Sequence, residues 1–260
     1  MARRRFFVDR VHSGHAQIDG ADAHHLTRVL RVEAGQKFEL SDNHKVYLAE
    51  VESARKDLVL FAIVEEIEAA PPPMRTTLLA SLIRFERFEW MLEKVTELGV
   101  ERVIPVDAER ATPGLERAAK KRLERWNRIG REASEQSRRD RLPVIEAPKS
   151  LQDALELGAD YRYHLEEACS PPLLGLLPGA RRDKDQVALL VGPEGGWTDR
   201  ERAAIAAGGW TSVSLGDQIL RAETAAIAGL AILSAAWIAS RLNSDDGRAH
   251  RLRTHRDQHE

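Results

Sequence analysis

The stretch LLVGPEGGWTDRE, Leu189 to Glu201, leaves an apolar run through five residues holding three glycines, a proline and a glutamate. The run Val187 to Val191 reads as a strand buried on both faces, as in a parallel sheet. The loop behind it sits at the strand's carboxyl end, where open α/β sheets place ligands. Gly192, Gly195 and Gly196 let backbone amides approach a ligand without a Cβ in the way, and Thr198 or Asp199 can cap the helix that follows. Glu194 opposes a phosphate in a loop otherwise shaped like an anion cradle and suits a cationic or neutral ligand. A glycine-rich turn with Glu194 in solvent satisfies the same residues, and the loop alone leaves both readings open.

A second stretch, SLGDQILRAETA (Ser214 to Ala225), also leaves a strand through a glycine. It presents Ile219 and Leu220 just before Arg221, Glu223 and Thr224 at a helix start. Two apolar loop residues flank a flat aromatic ligand or plug the core. Arg221 and Glu223 are either part of a site or a local ion pair worth under about 1 kcal/mol.

Around these loops strands and helices alternate from Arg75 onward. Strands are expected at Thr76–Ile83, Arg102–Val106, near Val144, and at Tyr161–Leu165, Gln186–Val191 and Thr211–Leu215. Helices are expected at Glu86–Leu98, Leu115–Ser137, Leu151–Leu157, Asp199–Ala207 and Ala222–Leu242. That order implies an α/β fold with a mostly parallel sheet. The first seventy residues read as short strands, Arg4–Val8, Gln36–Ser41, Lys45–Glu52 and Asp57–Ile67. One helix, Ala23–Arg31, interrupts them, capped by Asp22 with Leu26, Val29 and Leu30 as its apolar stripe. This suggests a small β-barrel. The AAPPP of Ala69 to Pro73 breaks both patterns and sets the domain boundary, 1–70 against 74–243. Residues 244–260 lose apolar periodicity and read as a disordered tail.

The 260 residues carry 39 Lys plus Arg against 41 Asp plus Glu, a net charge of −2 that points to no partner by itself. Locally, Arg117 to Arg141 holds ten basic residues against four acids, the best unaided sign of nucleic acid, though a solvated helix shows the same pattern. On that helix Ala119, Leu123, Trp126, Gly130, Ala133 and Ser137 should face the core. The apolar Ala225–Ala239 is shorter than a bilayer requires and reads as a buried helix. With a single cysteine, Cys169, and an N-terminus without a signal-peptide pattern, a reducing cytoplasm is the default expectation. No histidine spacing suits a metal, His24 and His25 being adjacent, and no G-x-S-x-G elbow suits a hydrolase.

Five motifs in order, HHLTRVLRVEAGQ (24–36), EKVTELGVERVIPV (93–106), EASEQSRRDRLP (132–143), LLVGPEGGWTDRE and LGDQILRAETA, resemble the uridine N3-methyltransferase family of small-subunit ribosomal RNA (RsmE), in the SPOUT or α/β-knot superfamily. The resemblance implies a C-terminal SPOUT trefoil-knot methyltransferase domain, an N-terminal PUA-like β-barrel domain, and S-adenosylmethionine bound in the knot. By the family's pattern Leu165, Glu166, Val191, Gly192, Pro193, Gly195, Gly196, Leu215, Gly216, Ile219, Leu220 and Thr224 would bind the cofactor. Arg221, Glu223 and Glu194 would serve catalysis, Arg221 by stabilising charge on the uracil oxygens and a carboxylate by assisting N3 deprotonation. Arg28, Arg31, Arg110, Arg128, Gln136 and Arg139 would contact 16S ribosomal RNA or the small subunit. The sequence departs from the family at Arg138, where many members have a small residue, and at IRFERFEW (83–90), where they are more lysine-rich. The resemblance also implies a homodimer, built where Ala225, Gly229 and Ala236 allow close helix approach. No metal and no membrane are implied. A non-catalytic RNA-binding protein with the same fold is the alternative, and a nucleotide-dependent enzyme with GPEGG as a phosphate loop is a third.

Overall fold

The computed structural model describes residues 4–167 and 170–243. The expected tail, Cys169 and the first three residues of the basic N-terminus lie outside the described residues. The chain divides into two units. One comprises the described residues up to Ala70 together with Arg131–Leu142, and the other comprises Pro71–Gly130 with the described residues from Pro143 on.

In the first unit the elements are β1 (Arg5–Phe7), β2 (His15–Asp19), α1 (Gly20–Arg28), β3 (Lys37–Ser41), β4 (Val46–Arg55) and β5 (Leu58–Ile67). They form a five-stranded sheet in the order β1-β3-β4-β5-β2, with β1 and β3 parallel and the other pairs antiparallel. The alternation in β2, with only Ala16 and Ile18 buried, feeds a core that also holds Phe6, Leu26, Leu40, Val51 and Phe61. β2 is a strand the sequence reading missed. The helix starts earlier than expected, because Asp19 rather than Asp22 is the N-cap, and its cap makes no side-chain hydrogen bond. Val29 follows the helix and is 64% exposed, so the expected apolar stripe is narrower, resting on Ala23 and Leu26.

Arg5 is buried in this unit and is fully engaged. Its Nε and Nη2 donate to Glu39 Oε2 at 3.1 and 2.9 Å, and its Nη1 donates to the Arg138 carbonyl at 2.8 Å and pairs with Asp140. Arg138, where the sequence departs from the family's small residue, has φ of 57°, in the left-handed region that a side chain such as arginine's adopts under strain. Its side chain offsets the strain by donating to Glu39 Oε1 at 3.1 Å.

The second unit contains β6 (Arg75–Ser81), α2 (Phe85–Glu97), β7 (Arg102–Asp107), α3 (Leu115–Lys120), α4 (Leu123–Gln136), β8 (Val144–Ile145), β9 (Lys149–Ser150), α5 (Leu151–Leu155), β10 (Tyr161–Leu165), β11 (Gln186–Val191), α6 (Asp199–Ala207), β12 (Thr211–Val213) and α7 (Ala222–Asn243). From Arg131 on, the residues of α4 belong to the first unit. The sheet is wholly parallel, in the order β12-β10-β11-β6-β7-β8, with β9 also on β7. Its central strand β11 is apolar without interruption from Val187 to Val191 because both faces of the sheet are covered there. Leu78, Val187 and Leu189 share one core with Phe88, Leu230 and Trp237. Leu79, Ala188 and Leu190 share the other with Leu155, Trp197 and Ile205.

The expected helix Leu115–Ser137 is two helices. It breaks at Lys121, where the Arg122 amide turns to Ala119 O, and the Arg122 side chain is drawn away to Glu89 and over the Phe85 ring. The heptad-like stripe survives the break, with Ala119, Trp126 and Ala133 buried. The final helix is longer than the fifteen apolar residues suggested, and Ala222–Arg241 is long and apolar enough to cross a bilayer by length and composition. Only one stripe of it, Ala226, Leu230, Leu233 and Trp237, is buried, whereas Ala235, Ile238 and Ala239 are exposed. The small residues expected at a dimer contact are accounted for within the chain. A Cβ on Gly229 would stand 2.9 Å from Leu189 Cδ2, and Ala225 and Ala236 pack against the core.

Candidate functional site

The sheet order sets β10 between β12 and β11, so the loops leaving their three carboxyl ends are neighbours. Together they enclose a cavity of about 390 Å³. The first loop supplies Leu165, Glu166 and Glu167; the second Val191, Gly192, Pro193, Glu194, Gly196 and Trp197; the third Leu215 through Arg221. Val213, Ala222, Ala225 and Arg87 complete the wall. Of the residues expected at the cofactor, Gly195 and Thr224 do not line the cavity. Of those expected in catalysis, Arg221 and Glu194 line it and Glu223 does not.

Three of the glycines have distinct reasons. A Cβ on Gly192 would lie 2.8 Å from Trp197 Nε1, and one on Gly195 would lie 3.1 Å from Arg110 Cβ. Gly196 has φ of 67°. Two of the three positions are thus glycine because the protein itself packs against them, which corrects the view that all serve ligand approach. The loop is held from below. Arg110 Nη1 donates to the Gly195 and Trp197 carbonyls at 3.1 and 3.3 Å, and Arg202 Nη1 donates to Trp197 O at 2.6 Å. Thr198 caps α6 in a capping box with Glu201, whose Oε1 also accepts from the Glu109 amide at 2.8 Å. Sequence reasoning expected Arg110 at RNA and missed its part in supporting this loop. The other residues expected at RNA are not in the cavity lining: Arg28, Arg31, Arg128 and Gln136 are exposed, and Arg139 donates to Arg141 O at 3.1 Å.

The charge of the lining is unequal. Four carboxylates, Glu166, Glu167, Glu194 and Asp217, face two guanidiniums, Arg87 and Arg221. Glu166 is committed to Arg202, whose Nε donates to it at 2.8 Å. Glu194 pairs with Arg87. Arg221 is exposed, and among the described residues its guanidinium has no partner. Ile219 is 79% exposed, so it is not a core plug; it stands at the cavity instead, with Leu220 partly buried beside it. A cavity with apolar walls and surplus carboxylate suits a flat, cationic guest and repels a polyphosphate. The nucleotide-phosphate reading of GPEGG loses its footing here.

Behind the second loop His164 is buried, its ring edge-on to Trp197 at 5.7 Å and its Nδ1 3.2 Å from Ser212 Oγ. Its Nε2 has no partner among the described residues. Burial lowers its pKa from 6.5 to about 4, with Glu166 opposing and Arg202 adding to the fall. The unfolded chain therefore takes up this proton as pH falls below 6.5 while the folded chain does not until about 4, so the stability His164 contributes is complete above 6.5 and lost across that window. Glu135, raised by burial to about 7, acts oppositely, losing stability as pH rises from 4.5 to 7. Because the Glu135 contribution is common to both proteins, we expect the stability difference between the parent and His164→Gln, read by urea unfolding, to shift against the parent by on the order of 2 kcal/mol as pH falls from 6.5 to about 4. An unchanged difference would contradict this.

A family model for an RNA methyltransferase domain matches residues 70–234, and one for an RNA methyltransferase PUA domain matches residues 18–64. The chain is 36% identical over 221 residues to the ribosomal RNA small subunit methyltransferase E of Synechocystis, covering 83% of this chain and 71% of that protein. It is 29% identical to that of Bacillus subtilis, covering 84% and 88%. Among solved structures, ribosomal RNA small subunit methyltransferase E from Neisseria gonorrhoeae, bound to S-adenosyl methionine, superposes with a TM-score of 0.81 at 30% identity, covering 91% of this chain and 98% of that one. A methyltransferase from Legionella pneumophila in complex with the same cofactor gives 0.82 at 28% identity, with the same coverage. The fold is that of the SPOUT α/β-knot methyltransferases with an N-terminal PUA-like domain. The chain belongs to the ribosomal RNA small subunit methyltransferase E family.

Proposed function

We propose that this protein transfers a methyl group from S-adenosylmethionine to N3 of a uridine in 16S ribosomal RNA of the small subunit. The observation that carries the reading is the three-loop cavity, with apolar walls, surplus carboxylate and, among the described residues, one unpartnered guanidinium. Bound there, the cofactor supplies a methyl group on a cationic sulfur. Leu165, Leu215 and Leu220 supply apolar surface for the nucleoside, and Gly196 brings backbone close to it. The carboxylates favour the positive sulfur over a neutral thioether.

N3 of uridine carries a proton, which must leave as the new carbon–nitrogen bond forms and the carbon–sulfur bond breaks. Glu194, which faces the cavity, takes that proton; Glu223, the other carboxylate expected there, does not line the cavity. Arg221 offsets the negative charge that gathers on the uracil oxygens. Holding base and cofactor in line supplies most of the acceleration. The test is to incubate purified protein with cofactor and small subunits from cells lacking the corresponding gene, then digest the RNA and analyse its nucleosides by mass spectrometry. The reading expects 3-methyluridine. Methylation of another atom, or none, rejects it.

A further inference from the structure

Arg87, in the first turn of α2, was not among the residues the sequence assigned to the site. It nevertheless lines the cavity and lies between two carboxylates that the sequence places far from it. Its Nη1 pairs with Glu194, and its Nε stands 3.8 Å from Glu223 Oε1. Glu223 is only 6% exposed, and its Oε2 has no partner among the described residues. One guanidinium therefore serves two carboxylates at this edge, Glu194 in the cavity lining and Glu223 outside it.

The proposed reaction makes contrary electrostatic demands on this edge. A cationic sulfur is favoured by carboxylates, whereas a uracil losing its N3 proton is repelled by them. We propose that Arg87 is a positioning residue that reconciles the two: it holds Glu194 and Glu223 in place and cancels enough of their charge for the uracil to approach. This inference rests on the cofactor assignment above. It concerns residues that neither the sequence motifs nor the basic patches connect.

Arg87→Gln keeps the side chain polar and its aliphatic stem while removing the charge. Calorimetric titration with S-adenosylmethionine and with the neutral S-adenosylhomocysteine reads the effect without turnover. Unmasking the two carboxylates should shift the ratio of the two Kd values about fivefold in favour of the cation. Turnover on small subunits should fall about tenfold. Arg87→Lys should keep both quantities near the parent's, and Glu194→Gln should move the ratio the opposite way. A part limited to holding the fold would weaken both ligands equally, and that result would overturn the proposal. So would a shifted ratio with unchanged turnover, which would show that the uracil does not sense this charge. Failure of the parent protein to bind either ligand would instead overturn the cofactor assignment, and this inference with it.

Discussion

Arg221→Ala is expected to lower turnover by about 100- to 1,000-fold while S-adenosylmethionine affinity stays within about threefold. The expectation follows from where the charge lies. Arg221 is at the start of α7, exposed and lining the cavity, and its backbone carbonyl rather than its side chain is used by the helix, accepting from the Ala225 amide at 2.8 Å. Its guanidinium can be removed without stranding a buried partner, so folding should be nearly unaffected. A guanidinium is also a poor neighbour for a cationic sulfur, which leaves the substrate base as the group it can serve. Steady-state kinetics with saturating small subunits, beside calorimetry with the cofactor, separates the two effects. Loss of cofactor affinity matching the loss of turnover would place Arg221 on the wrong ligand.

Gly192→Ala should weaken cofactor binding by about 100-fold or more. The added Cβ would lie 2.8 Å from Trp197 Nε1 and 3.0 Å from Cε2. Trp197 has little room to yield, being buried between the sheet and α6 and set against His164. The second loop must shift instead, and that loop forms a wall of the cavity. Gly195→Ala is the informative companion. Its Cβ would press on Arg110 at 3.1 Å, but Gly195 does not line the cavity, so stability should suffer more than affinity. Calorimetry and thermal unfolding of both variants distinguish packing from ligand approach. Affinity of Gly192→Ala equal to the parent's would contradict the assignment of this wall.

The two loops and the strands feeding them were legible in the sequence because local chemistry marks them. β10, β11 and α6 have the boundaries their periodicity and the Thr198 cap suggest. Other features depend on contacts between distant residues and leave no local trace. The break at Lys121 carries neither glycine nor proline, and the Arg122 side chain is drawn to Glu89. β2 is only five residues long, and its pairing with β5 rather than its composition makes it a strand. Arg87 and Glu194 are separated by 107 positions, so no spacing rule could join them. The glycines illustrate both sides. Their presence marked a special loop, but Trp197 and Arg110, which explain two of them, are known as neighbours only in three dimensions.

The cavity beyond β10, β11 and β12 is the proposed place for a sulfonium nucleoside. Calorimetric titration of the purified protein with S-adenosylmethionine, with ATP in a parallel cell, tests this most directly. One saturable site per chain for S-adenosylmethionine, lost in Gly192→Ala, with no heat from ATP, is the predicted result. Binding of ATP without S-adenosylmethionine, or cofactor binding indifferent to Gly192→Ala, would contradict it.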